Sequence, residues 1–297
     1  MGNTQPYIGR FAPSPSGPLH LGSLMSATCS YLQAKSKQGK WLVRIEDIDT
    51  PRVVQGIADQ QLKQLEHFGL YWDEQVIYQS QRLARYQQII EQLKSKHKLY
   101  ACECTRKQLK LQAQASNVGL IYPRTCISKK LNYADNAIRI KTSTDDIEFV
   151  DAVYGKQQAN IQHLTSDWVI KRRDGIYAYH LAVVVDDAEQ QISEVVRGVD
   201  ILPLTPLHLD LQQILNYQSP SYLHHPLMIE NENKLSKQNH ACRVKDKNRI
   251  KTLNQILTAL GQSKILDTDQ LDTFWKSAIS QWDQTKIPIS NYEIKTN

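Results

Sequence analysis

The 297-residue sequence predicts an α/β fold, and three stretches predict it. Tyr7-Ile8 closes a short strand, prolines and glycines between Pro13 and Gly22 force a tight turn, and Leu24, Met25, Thr28, Tyr31 and Leu32 then recur at helical spacing. Residues 41–45 and 192–196 are apolar runs of strand length, and each ends in charge, Glu46-Asp47 after the first and Arg197 after the second. In open α/β sheets, ligands bind at the carboxyl ends of strands, so these charged termini are candidate site residues.

The remaining elements follow in chain order. Thr50-Pro51 reads as an N-cap followed by proline in the first turn, opening a helix that buries Ile57, Leu62, Leu65 and Phe68 and stops at Gly69. A second helix opens near Ser80, with Leu83, Tyr86, Ile89, Ile90 and Leu93 on one face. Residues 136–140 and 147–150 alternate as strands. Residues 168–179 form a hairpin, Asp174-Gly175 supplying the positive φ of a primed turn, and an apolar run then leads from Tyr179 to Asp186-Asp187. Thr205-Pro206 caps another helix with Leu207, Leu211, Ile214 and Leu215 inward. Helices around 250–260 and 270–282 form a small cap. His208, His224 and His225 read as structural or exposed rather than catalytic.

A net charge of +6 suits an anionic partner, because lysine and arginine release counterions from a phosphate backbone. No apolar stretch is long enough to span a bilayer, and the first residues lack the cationic and apolar regions of a secretory signal. The expected location is therefore the cytoplasm, with no membrane partner. Disulfides are disfavoured there, so the five cysteines raise the question of metal binding. Cys102, Cys104 and Cys126 share one segment, against four ligands that zinc takes, and His97 lies in the same segment. Three buried thiols without metal are the other reading. Cys29 and Cys242 receive no role.

Two motifs bracket this core. Pro18-Leu-His20-Leu-Gly22-Ser23 sets a turn against a helix start, where backbone N–H groups and the dipole meet phosphate and His20 donates to it. Lys234-Leu-Ser236-Lys237 sets two ammonium groups in a loop after a strand. Together they resemble the two signature motifs of class I aminoacyl-tRNA synthetases. Arg10-Phe-Ala12-Pro-Ser14, Arg44-Ile-Glu46-Asp-Ile-Asp49, Ala178-Tyr-His-Leu-Ala182 with Asp186-Asp187, and Val196-Arg-Gly-Val-Asp200 resemble the catalytic core of the glutamyl-tRNA synthetases. The likeness covers roughly residues 7 to 240. Cys102-Glu-Cys104 with Tyr122 and Cys126, and the Lys234 to His240 phrase, resemble the truncated branch of that family, which loads glutamate onto queuosine in the anticodon of tRNA(Asp).

The resemblance implies a Rossmann-like catalytic core over residues 1–98 and 191–240, an inserted α+β zinc-binding lobe over 99–190, and a helical cap over 241–297, too short for an anticodon-binding domain. It implies ATP-dependent activation of L-glutamate, then transfer to tRNA(Asp) bearing queuosine, by a monomer. His20, Gly22, Ser23, Lys234, Ser236 and Lys237 would bind ATP, His20 and Lys237 being catalytic and Mg²⁺ bridging the phosphates. Arg10, Ala12, Ser14, Glu46, Tyr179 and Arg197 would bind glutamate: Arg10 its side-chain carboxylate, Arg197 the α-carboxylate region and Glu46 the α-ammonium, with Tyr179 as a wall. Two guanidinium groups suit an amino acid with two carboxylates. One Zn²⁺ per chain would sit on Cys102, Cys104, Cys126 and Tyr122, with His97 as the other candidate fourth ligand. Ser23 stands where many class I enzymes carry a second histidine. Two further readings are a short glutamyl-tRNA synthetase charging the tRNA 3′ end and a tRNA-binding paralogue with a decayed site.

Overall fold

The computed structural model describes residues 6–230, 233–234 (backbone only) and 248–294. Strand β1 (Ile8–Phe11), helix α1 (Leu21–Ser36) and strand β2 (Lys40–Ile45) form a parallel β–α–β unit. Helix α2 (Ile57–His67) leads to β3 (Ile77–Tyr78), which extends the sheet in parallel, and α3 (Leu83–Ser95) follows. Next come β4 (Leu99–Cys102), α4 (Arg106–Gln112) and the hairpin of β5 (Gln114–Ser116) with β6 (Gly119–Ile121). Strand β7 (Ala137–Ile140) pairs antiparallel with β4. β8 (Asp146–Asp151) and β9 (Gly155–Asn160) form a hairpin, α5 (Ile161–Leu164) is one turn, and β10 (Val169–Lys171) pairs with the free edge of β7.

Helix α6 (Tyr179–Glu189) returns the chain to the centre. There β11 (Glu194–Gly198), α7 (Thr205–Leu215) and β12 (Ser221–His225) make a second parallel unit, with β8 on the far side of β12. Strands β13 (Met228–Glu230), β14 (Asn233–Lys234) and β15 (Tyr292–Glu293) form a small sheet, and α8 (Arg249–Ala259) and α9 (Leu271–Ser280) pack on α1.

The two parallel units meet at β1 and β11. The Ser193 N–H donates to the Ile8 carbonyl at 2.9 Å, and Arg10 Nη1 donates to the Val196 carbonyl at 3.3 Å. Strand order runs outward from that seam in both directions, β1–β2–β3 one way and β11–β12–β8 the other. Such a reversal point opens a crevice at the strands' carboxyl ends. Two apolar cores flank it. One joins α1 to β1, β2, α8 and α9 around Trp41, whose indole N–H donates to Ser30 Oγ at 2.9 Å. The other joins α3, α6 and α7 through residues such as Tyr86, Leu181 and Leu211.

Two expectations change on contact with the tertiary structure. Thr50–Arg52 is a single 3-10 turn rather than a helix start. The chain after it is held down by the Val54 N–H bonding the Pro15 carbonyl at 3.0 Å, and α2 begins only behind Gly56 at φ 76°. The hairpin of residues 168–179 forms, but its loop is a plain turn with a glycine bulge. The Gly175 N–H bonds the Arg172 carbonyl at 3.0 Å, and Gly175 alone takes a positive φ, 87°, so no primed turn is needed. The apolar run from Tyr179 is helical, with Leu181 to Asp187 buried between α3 and α7. Among the described residues no helix is long and apolar enough to cross a membrane.

Candidate active site

A cleft of about 710 Å³ opens over the carboxyl ends of β1 and β11. Nine of the residues singled out from sequence line it: Arg10 on β1, with Ala12 and Ser14 after it; His20, Gly22 and Ser23 at the start of α1; Glu46 after β2; Tyr179 at the start of α6; and Arg197 on β11. The backbone of Lys234 pairs with Ile229 in the small sheet, while Ser236 and Lys237 lie outside the described residues.

The proline turn is fixed from α2. Gln61 Nε2 donates to the carbonyls of Gly17 at 2.6 Å and Ser14 at 3.1 Å, and the Gln64 amide exchanges hydrogen bonds with the Leu19 backbone. The Glu46 N–H bonds the Pro13 carbonyl at 2.9 Å, tying β2's end to the same turn. His20 is the N-cap of α1: its Nδ1 accepts the Ser23 N–H at 3.3 Å, so a neutral ring carries its proton on Nε2. Gln61 and Gln64 read as ordinary helix glutamines in sequence. Only the packing of α2 under the turn reveals them.

Arg10 makes a two-point contact with Asp187, Nε to Oδ1 at 3.0 Å and Nη2 to Oδ2 at 3.3 Å. Asp187 also receives Arg44 Nη1 at 2.8 Å. Burial alone would raise the Asp187 pKa; Arg10 and Arg44 outweigh it and hold the carboxyl below the usual carboxylate range. Arg44 is fully buried among Asp187, Asp186 and Glu46. Glu46, 8% exposed, sits 3.5 Å from Arg44, and burial pushes its carboxyl up to about 7 against the pull of Arg44 and Arg10.

Arg197 has a different environment. Its Nε donates to His224 Nε2 at 3.0 Å, its Nη1 to His208 Nδ1 at 3.1 Å and its Nη2 to Thr205 Oγ1 at 2.8 Å. Among the described residues no carboxylate contacts it. A guanidinium only donates, so both imidazoles accept, and each therefore carries its proton on the opposite nitrogen. His224 Nδ1–H donates to Asp151 Oδ2 at 2.6 Å, and His208 Nε2–H donates to His180 Nδ1 at 2.8 Å. The pKa of His224 falls to about 4 through burial and the Arg197 charge, against the pull of Asp151. His180 falls to about 4 and His208 well below its ordinary value for the same two reasons, burial and Arg197. His208, His224 and His225 are all buried; nothing local in the sequence joins the first two to Arg197, because α7 and β12 meet β11 only in the folded chain.

Away from the cleft, the Sγ atoms of Cys102, Cys104 and Cys126 lie within 4.8 Å of one another. Cys104 and Cys126 are 3.5 Å apart, and the Tyr122 hydroxyl is 3.3 Å from Cys102 Sγ and 3.8 Å from Cys104 Sγ. Ligands on a tetrahedral zinc with bonds of about 2.3 Å stand about 3.8 Å apart, so the cluster fits such an ion. The Arg139 guanidinium stacks on the Tyr122 ring at 3.5 Å. His97 is exposed just past the end of α3 and outside the cluster.

Residues 8–260 match the profile of the catalytic domain of class I tRNA synthetases (E and Q). The chain belongs to that family and is an enzyme of the class I aminoacyl-tRNA synthetase type. Among its relatives, a glutamyl-Q tRNA(Asp) synthetase of Photobacterium profundum is 45% identical over 285 residues, spanning 95% of this chain and 90% of that one. One of Shewanella oneidensis is 45% identical over 284 residues, spanning 95% and 93%. The crystal structure of a glutamate tRNA ligase from Elizabethkingia meningosepticum, in complex with its amino acid, superposes with a TM-score of 0.82 at 25% identity, covering 98% of this chain and 67% of that one.

Proposed function

We propose that this enzyme activates L-glutamate with ATP and transfers the glutamyl group to queuosine in the anticodon of tRNA(Asp). The observation that carries the first half is the meeting of Glu46, Arg10, Arg197 and the His20 turn in one cleft. A carboxylate suits the α-ammonium of an amino acid, and two guanidinium groups suit its two carboxylates. Tyr179 walls the same space. In the first step a glutamate α-carboxylate oxygen bonds to the α-phosphorus of ATP, and the bond to the bridging oxygen breaks so that pyrophosphate leaves with the electron pair. The protein's work is in-line positioning and charge neutralisation. His20, the Gly22 N–H and Ser23 would meet the phosphates at a helix start, Mg²⁺ would be held mostly by the phosphates, and Lys234 with Lys237 would serve the leaving pyrophosphate. In the second step a queuosine hydroxyl attacks the acyl carbon, AMP departs, and the hydroxyl proton leaves to AMP or water. The relatives' name supports this acceptor. Zn²⁺ would sit on Cys102, Cys104, Cys126 and Tyr122, where it supplies a structural cross-link when bound.

The test is the destination of radiolabelled glutamate on tRNA pools with and without queuosine. Label in the anticodon nucleotides of tRNA(Asp), absent from queuosine-free tRNA, is expected. Label on the terminal adenosine, undiminished without queuosine, overturns the acceptor assignment in favour of 3′-end charging. Absence of glutamate-dependent ATP–pyrophosphate exchange overturns the activation step.

A further inference from the structure

We infer that His208 and His224 are positioning residues that hold Arg197 as a fixed, fully charged fork for a carboxylate of the substrate; this rests on the glutamate-activating reading above. Arg197 is 8% exposed and lines the cleft. Of its five N–H donors, three are bound to three acceptors lying on two different elements, α7 and β12. That leaves two donors for a ligand and stops the guanidinium from turning.

The choice of acceptor decides what the ligand meets. Asp187 neutralises Arg10 at 3.0 Å, whereas every partner of Arg197 is neutral or a hydroxyl. A carboxylate in place of either imidazole would orient Arg197 equally well but would compete with an incoming anion for its charge. Neutral imidazoles supply direction without compensation. Each is itself held from behind, as histidines that orient a functional group commonly are. Asp151 accepts the His224 Nδ1–H hydrogen bond and is anchored by the N–H groups of Val153 at 3.0 Å and Tyr154 at 2.9 Å, so the β8–β9 turn sets the angle of His224. His180, beside the cleft wall Tyr179, accepts the hydrogen bond of His208. The Tyr222 ring lies beneath the guanidinium carbon at 5.4 Å. Deep burial keeps these rings neutral at physiological pH, which their depressed pKa values support.

The experiment compares His224→Phe and His208→Phe, which remove the acceptor, with His224→Gln and His208→Gln, whose amide keeps an acceptor for Arg197 and a donor for the group behind. Glutamate and ATP Michaelis constants are measured by ATP–pyrophosphate exchange, alongside thermal melting. The Phe variants should raise KM for glutamate about tenfold or more while KM for ATP stays within about twofold, and the Gln variants should recover to within about threefold of wild type. Equal damage to both constants, or Phe variants that bind glutamate like wild type, would overturn the inference. Should a Phe variant fail to fold, Asp151→Asn provides the gentler loosening of His224. It should raise KM for glutamate about threefold and leave KM for ATP alone, and equal effects on both again overturn the idea. Solvent exchange of the Arg197 Nε–H, followed by NMR, is independent of activity. Slow exchange in wild type and His224→Gln and fast exchange in His224→Phe is expected, and slow exchange in His224→Phe overturns the inference. A wild-type enzyme without glutamate-dependent exchange would sink the functional reading alone, and the NMR result would still decide this one.

Discussion

Glu46 makes glutamate binding depend on pH in a way that can be calculated. Its carboxyl is raised to about 7 by burial in the unliganded enzyme, while the role assigned to it requires the ionised form. If only the ionised form accepts the substrate ammonium, the apparent dissociation constant scales as 1 + 10^(pKa − pH). With a pKa of about 7 that factor is about 1.1 at pH 8 and about 11 at pH 6, a tenfold loss worth about 1.4 kcal/mol. The γ-carboxyl and α-ammonium of free glutamate do not titrate in that interval. Isothermal titration calorimetry between pH 6 and pH 8 reads the affinity, and repetition in buffers of different ionisation enthalpy reads the proton released as Glu46 ionises. Glu46→Gln should bind more weakly and lose the slope. The fold supplies a second reading. A carboxyl with a higher pKa folded than unfolded retains its proton on folding, so stability falls as pH rises from about 4.5 to about 7. Glu46→Gln should therefore melt above wild type at pH 8 and close to it at pH 4.5. A wild-type affinity that is flat from pH 6 to pH 8, or a slope that survives in Glu46→Gln, would refute the reasoning.

Three other perturbations have defined outcomes. Arg197→Lys keeps the charge but loses the fork, and KM for glutamate in pyrophosphate exchange should rise on the order of a hundredfold while KM for ATP changes little. Asp187→Asn leaves the buried Arg10 and Arg44 without their shared carboxylate, so urea denaturation should report a loss of about 3–5 kcal/mol. For the cysteine cluster, elemental analysis of the purified protein should find about one zinc per chain, lost in Cys126→Ser, with a lower melting temperature after chelation.

Much of the site was legible because its residues follow strands. Arg10, Glu46 and Arg197 each stand at or just past the carboxyl end of an apolar run, and the proline turn announces the start of α1. What stayed hidden depends on contacts between distant segments. Thr50-Pro51 carries a good capping signal, yet Val54 is claimed by the Pro15 carbonyl, and the helix waits for Gly56. The run from Tyr179 has no clear periodicity because α6 is buried on nearly all sides, so its type could not be read from pattern. His208 and His224 look like scattered histidines until α7 and β12 bring them onto Arg197. Lys237, the residue that the second motif offers for pyrophosphate, lies outside the described residues.

The junction of β1 with β11 has a consequence for how the enzyme comes into being. Arg10 is made early in synthesis and Arg197 far later, and the two sides are stitched by the Ser193–Ile8 and Arg10–Val196 bonds. Neither half of the chain alone owns the complete cleft. A substrate held by both guanidinium groups would act as a rivet through that joint, so saturating glutamate should shield the backbone amides of Ile8 and Ser193 from deuterium more than those of the distal helices α8 and α9.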